Sequence, residues 1–317
     1  MVQYFASLDP ITLLKSFPGS IAQGMVWCVL ALGVYITFRI LDFADLTVDG
    51  SIAFGGAVCV MLIRAGISPI VATIVSFFAG MLAGIITGLL TTLLGIPGIL
   101  ASILTQISLY SINLHIMGQS NMPVSVDKYP LLVSLRYVTD STQSAVFFFV
   151  GMIIFVFLLI GILYNFFGTE IGASIRATGC NPNMARAQGI NTNNIKVLTL
   201  GIANGLVGLS GALCAQFSGA ADVNMGRGAI VIGLAAVIIG EVIFGKFASK
   251  RKAAFAWTMG AVVCGSIIYY MVYQFVLWLK FPSDDMKILT AAVVAAFLAI
   301  PYLKEKSSVK KGAAKHE

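Results

Sequence analysis

Apolar residues run along this chain in blocks of about twenty, with polar residues gathered in short stretches between them. A helix of that length crosses the hydrocarbon core of a bilayer and satisfies its own backbone where water is missing. The blocks predict spans at 19–39, 47–64, 69–94, 97–118, 143–167, 195–217, 228–245, 253–279 and 287–303. That is about nine transmembrane helices, within bounds of roughly eight to ten. Strands are not expected, because Gly and Ala recur through runs too long for a strand. Two spans look short or broken. Asp42-Phe-Ala-Asp-Leu-Thr-Val-Asp-Gly-Ser51 sets three carboxylates at the mouth of a helix that reaches only to about Arg64. Asp222-Val-Asn-Met-Gly-Arg-Gly228 precedes a second short helix that ends near Gly245. Glycine-interrupted segments in corresponding halves of a membrane protein point to a transport pathway. Ser51–Val58 and Ala229–Ala236 share a small/aliphatic rhythm and are expected to run in opposite directions, as an inverted repeat would. The expected fold is an all-α polytopic integral membrane protein. One transmembrane domain covers 1–303, and a basic tail covers 304–317.

Composition sharpens this reading. Of 317 residues, 58% are hydrophobic and only 10% charged, with a mean hydropathy of +0.94. A soluble domain carries about 25% charged residues, so an ordinary soluble enzyme is excluded. Disorder is excluded too, since it needs low hydrophobicity and high charge. The net charge of +7 is concentrated in a few loops. Lys246, Lys250, Arg251 and Lys252 fill one of them, and Lys304, Lys306, Lys310, Lys311 and Lys315 fill the tail. The positive-inside rule places both in the cytoplasm, with an even number of spans between them. Counting back puts 168–194, with Arg176 and Arg186, on the same side. The segment 119–142 and the N-terminal stretch then lie outside. Nucleic acid is not an expected partner, because no basic face is interleaved with aromatics; anionic lipid near the tail is. The five cysteines stand singly, so neither a metal site nor a disulfide framework is expected. Lys15 follows the first apolar residues, an order unlike a secretory leader.

Catalytic motifs are missing. Of two histidines, His115 falls inside a predicted helix and His316 in the tail, and neither HExxH nor GxSxG occurs. Gly245-Lys246 is followed by Phe247, so there is no phosphate-binding loop, and no cofactor is expected on this chain. Asp42, Asp45, Asp49 and Glu241 fall near helix ends, where carboxylates cap N-termini or pair with Arg39 and Lys246. Polar side chains also occur within spans: Gln106, Asn113 and His115 on the fourth, Asn204 and Gln216 on the sixth. Gln106 and Asn113 lie seven apart and share one helical face. Such residues either hydrogen-bond between helices or line a route for a hydrophilic solute. With Thr47, Asp49 and Ser51, the residues Gln106, Asn113, Asn204 and Gln216 make up the candidate translocation path.

The most informative stretch is the loop 168–194. Asn181 suits an N-cap, Pro182 a first helical position and Gly189 a C′ stop. They bound a helix of about seven residues, roughly 10 Å long and too short to stand alone. A plain helix–helix connection needs only about 2–8 residues. The capped segment therefore reads as a docking element for a cytosolic partner. Asn181, Pro182, Met184, Ala185, Arg186, Ala187, Gly189, Ile190 and Asn191 carry it.

The run Arg176-Ala-Thr-Gly-Cys-Asn-Pro-Asn-Met-Ala-Arg-Ala-Gln-Gly-Ile-Asn191, with Lys196 beyond, resembles the coupling loop of ABC-importer permeases. The branch is the one serving branched-chain amino acids, ribose and related solutes. Asp45–Ser51, Ile96–Ser102 and Leu109–Gly118 agree with that family in the same order. They look most like the tryptophan/tyrosine-type uptake permeases that pair with extracellular solute-binding lipoproteins. The resemblance spans roughly residues 20–300, and the extra leading helix of some ribose-type relatives is not matched. It implies a multi-pass subunit of a bacterial plasma membrane with its C-terminus in the cytoplasm. It further implies a second copy of the chain, two ABC ATPase subunits holding ATP and Mg, and a binding lipoprotein outside. The solute would be an amino acid, with a sugar, nucleoside or vitamin as alternatives. A docking role further predicts that Gly189→Pro or a charge at Ala185 uncouples ATP hydrolysis from uptake without unfolding the chain. The competing class is an ion-coupled carrier, for which Asp49 is the test residue, or a channel, which would conduct without any partner.

Overall fold

In the computed structural model, which describes residues 10–139, 142–248, 254–279 and isolated positions between 288 and 299, eight of the predicted spans are helices. Helix α1 (Pro10–Val34) continues as a π-helical turn, Tyr35–Ile40. Then come α2 (Val48–Arg64), α3 (Pro69–Thr92) and α4 (Gly98–Met117). A short α5 (Leu135–Thr139) precedes α6 (Thr142–Gly168), α7 (Glu170–Cys180) and α8 (Pro182–Ala187). The described helices end with α9 (Thr192–Ser218), α10 (Ala229–Ala248) and α11 (Ala254–Trp278). Six of them (α1, α3, α4, α6, α9 and α11) are long and apolar enough to cross a membrane. The described residues alone therefore do not reach the expected nine. Helices α2 and α10 are the two short ones, and span 287–303, the Lys250–Lys252 part of the basic loop and the tail lie outside the described residues, isolated positions apart.

Two elements depart from the sequence expectation. Residues 168–194 are more than a loop around one short helix. Thr169 accepts a hydrogen bond from the Gly172 amide and starts α7, which buries Gly172, Ile175 and Thr178. Its last turn packs on the end of α1, where a Cβ at Gly179 would meet the Ile40 carbonyl. The second departure is a two-stranded ribbon in which β1 (Asn121–Pro123) pairs antiparallel with β2 (Ala220–Asp222). It ties the segment after α4 to the segment after α9, and Arg64 donates to the Pro123 carbonyl at 3.2 Å beside it.

Small residues decide the packing. The inward stripe of α3 is Ala72, Ser76, Gly80, Gly84 and Thr87, while Ile70, Ile74, Phe78, Leu82 and Ile86 face outward. Lipid is as apolar as leucine, so helices in a membrane associate through close backbone approach rather than by hiding leucine. Helix α9 is the centre of the bundle, packed on α1, α2 and α3. A side chain at Gly84 would strike the Leu200 carbonyl, and one at Gly211 the Ile52 carbonyl. These contacts set α9 rigidly between its neighbours.

Candidate functional site

The two short helices start from one point. Asp49, in the first turn of α2, accepts from the Gly228 and Ile230 amides at 3.0 Å each. Its carboxylate caps the N-terminus of α10 rather than that of its own helix, which is where a negative charge is favoured. The loop before α10 lies so close that a Cβ at Gly226 would meet the Asp49 carbonyl. From this point α2 runs to Arg64 at the ribbon end of the molecule. Helix α10 runs the other way, to Glu241, which pairs with Arg39 near the end of α1 at 2.9 Å. The opposite directions expected of an inverted repeat are thus present in the fold. The chain reaches α2 through a reversal at Asp42, whose φ is +54°, a conformation aspartate tolerates better than most residues.

Beneath that junction lies a closed polar core. Asp45 Oδ1 accepts from the Thr47 amide at 2.9 Å, and its Oδ2 from the Asn204 amide nitrogen at 2.6 Å. Ser51 donates to Asn204 Oδ1 at 2.7 Å. Thr47, Thr87 and Thr105 form a chain of hydroxyls at 2.8 and 2.9 Å. All of these side chains are buried, and each has a partner. Thr47, Ser51 and Asn204 of the candidate path therefore hold helices α2, α3, α4 and α9 together. Gln216 does similar work nearer the ribbon. Its oxygen accepts from Leu132 N, and its nitrogen donates to Thr73 Oγ1 at 2.9 Å.

Asp49, Gln106 and Asn113 come together elsewhere. They line one pocket of about 470 Å³ between α4, the start of α2 and the segment before α10. Gln106 and Asn113 share the helical face that their spacing implied. Tyr110, Ser111, Asn224 and Arg227 complete the polar lining; the sequence pattern singled out none of these as site residues. For Arg227 a signal existed, a cation between two glycines in the interrupted segment. It also borders a neighbouring pocket of about 450 Å³ walled by Trp27, Tyr269, Tyr270 and Tyr273. Asn113 is wholly buried, yet neither atom of its amide has a hydrogen-bond partner among the described residues. His115 needs no special role: its Nδ1 lies 3.2 Å from the Ser111 carbonyl of its own helix.

At the other end, α8 is built as the capping residues implied. Asn181 Oδ1 accepts from the Asn183 and Met184 amides at 3.1 Å. Pro182 opens the helix, and Gly189 closes it with φ +84°. The Gly189 amide donates to Arg186 O and the Ile190 amide to Ala185 O, a Schellman stop. Asn191 then caps α9 through the Asn194 amide. Arg186 ties the two helices, its Nε donating to Thr192 Oγ1 at 2.7 Å. Met184 points outward at 63% exposure, whereas Ala185 is 3% exposed. A charge at Ala185 would be buried and disturb the helix itself, whereas the Met184 side chain is turned to the surface.

Comparison with known proteins agrees with this architecture. Residues 17–301 match the family described as branched-chain amino acid transport system / permease component. A tyrosine transport system permease protein of Clostridioides difficile (strain R20291) is 40% identical over 277 residues, 87% of this chain and 88% of that protein. An uncharacterised protein of Rickettsia prowazekii (strain Madrid E) is 31% identical over 295 residues, 90% of this chain and 96% of that one. No solved structure matches. The interrupted helix pair, the Gly-packed bundle and a family match covering nearly the whole chain lead to one assignment: this chain belongs to the permease-component family of branched-chain amino acid transport systems.

Proposed function

We propose that the chain is the membrane subunit of an ATP-driven ABC importer in a bacterial plasma membrane. Two copies enclose the path. Two cytosolic ATPase subunits, which hold ATP and Mg, dock on α8, and an extracellular solute-binding lipoprotein docks over the ribbon end and residues 119–142. The solute is a small polar molecule, an amino acid and preferably an aromatic one. The naming of the Clostridioides relative supports that choice, as does the aromatic wall beside Arg227. The C-terminal tail and α8 lie in the cytoplasm.

The observation that carries this reading is the construction of α8. A six-residue helix is not stable by itself, yet this one is capped at both ends and clamped to α9 by Arg186. A push on Met184 is therefore passed to α9 instead of being lost in a flexible loop. Helix α9 is the helix on which α1, α2 and α3 pack. Closure of the ATPase pair would shift it as a rigid body and switch the path from inward- to outward-facing. The permease contributes no bond chemistry in this scheme.

Purification of the tagged chain from its native host in mild detergent tests the reading. Co-purification of a P-loop ATPase, lost on replacing Met184 by Glu, is the expected result. Solute uptake by the chain alone in liposomes, driven only by an ion gradient and abolished by Asp49→Asn, would replace the importer with a secondary carrier.

A further inference from the structure

Among the described residues, most buried polar side chains have a hydrogen-bond partner on backbone or side chain, but the Asp49 pocket is different. The Asn113 amide is buried without partners among the described residues, and proteins rarely leave such a group unmet without a reason. Asp49 accepts two backbone hydrogen bonds, yet an ionised carboxylate offers about four acceptor positions. The exposed Arg227 guanidinium makes no ion pair among the described residues. Asp49 and Arg227 line the same pocket without pairing with each other. The pocket thus brings together, from three segments, an anion, a cation and, buried in its lining, an amide with neither donor nor acceptor used. A sugar needs neither charge, and a simple ion needs only one. A zwitterion needs both, held apart.

We propose that this pocket binds the head group of an α-amino acid. Arg227 takes the α-carboxylate, for which its planar fork is suited. Asp49 faces the α-ammonium, and the Asn113 amide bridges the two. The inference rests on the importer reading for its solute class and deepens it with a recognition point inside the membrane subunit. Asp49 sits where two half-length helices meet, so occupancy would also bear on the junction that alternating access must move.

The test uses the full chain, with whatever partners co-purify, in lipid nanodiscs. The fraction of tagged chain that survives heating is followed with L-phenylalanine, L-phenylalaninamide and N-acetyl-L-phenylalanine in the tens of millimolar range. A ligand bound only by the folded state raises the midpoint. The expected result is a rise of about 2–4 °C with L-phenylalanine and none with either analogue. Arg227→Gln and Asn113→Leu should each abolish the rise, and their unliganded midpoints show whether they are folded. An equal rise with the amide, a rise that persists in both variants, or no rise with the amino acid overturns the site. ATP-linked uptake, measured on the same complex, separates this failure from that of the importer. Uptake that survives without any shift overturns the pocket alone, while a clear shift with uptake that needs only an ion gradient keeps the pocket and overturns the importer.

Discussion

Asn204 and Asn113 are both fully buried asparagines on spanning helices, yet their surroundings are opposite. Both polar atoms of the Asn204 amide are partnered, with Asp45, Ser51 and the Leu200 carbonyl. Asn113 lines a pocket and has no partner among the described residues. Each asparagine has an aspartate of the 42–51 segment in its region, Asp45 for one and Asp49 for the other. A closed polar cluster holds helices together in a membrane, where lipid gives no hydrophobic reason for them to associate. An open one leaves polar atoms unspent. Residue type and depth do not separate the two; the count of satisfied atoms does.

The largest expected effect comes from opening the closed cluster. Asn204→Leu leaves the buried Asp45 carboxylate and the Ser51 hydroxyl short of partners, at a cost of about 3 kcal/mol or more. It should show as a sharp fall in the thermal midpoint and yield of the purified chain. The same change at the open site should act in the other direction. Asn113→Leu removes an unsatisfied buried amide and should stabilise the fold by about 1–2 kcal/mol, while transport is lost. A fall in its midpoint would mean that Asn113 serves packing. Smaller effects belong to the α8 end. Gly189→Ala forces a Cβ into a left-handed conformation and should cost about 1 kcal/mol, read as a modest drop in midpoint with weaker ATPase stimulation. Gly189→Pro cannot adopt that φ at all, so it should break the α8 stop outright. Last, Met184→Glu should leave the unfolding midpoint within about 0.5 kcal/mol of wild type yet abolish ATP-linked uptake. Intact uptake in that variant would remove α8 from the docking role.

Much of this was legible in the residues. The apolar blocks located eight helices, to within a few residues at most ends; the start of α1, nine residues earlier than predicted, is the largest discrepancy. The caps of α8 were readable because Asn181, Pro182 and Gly189 act locally, on backbone atoms two or three residues away. The shared face of Gln106 and Asn113 followed from helical periodicity alone. Helix α7 was not read, because its stability comes from burying Ile175 and seating Gly179 on Ile40, a contact with a distant segment. The ribbon was missed for a similar reason. Three-residue strands carry too little pattern to announce themselves, and their pairing joins segments about a hundred residues apart.

By itself, the sequence determined what is local or cumulative: that the chain lies in a membrane, where its helices run, that two of them are short, and that one capped helix of two turns stands at an end of the bundle. Period, length and capping all act within a few residues, so one dimension suffices for them. Only the tertiary structure decided that Asp49 caps a helix some 180 positions away, that Ala185 is inward while Met184 is out, and that Asn204 is satisfied where Asn113 is not. The physical reason is that a polar side chain's role depends on which atoms of other helices come within about 3 Å of it. In this bundle, that is set by where glycines let the backbones touch.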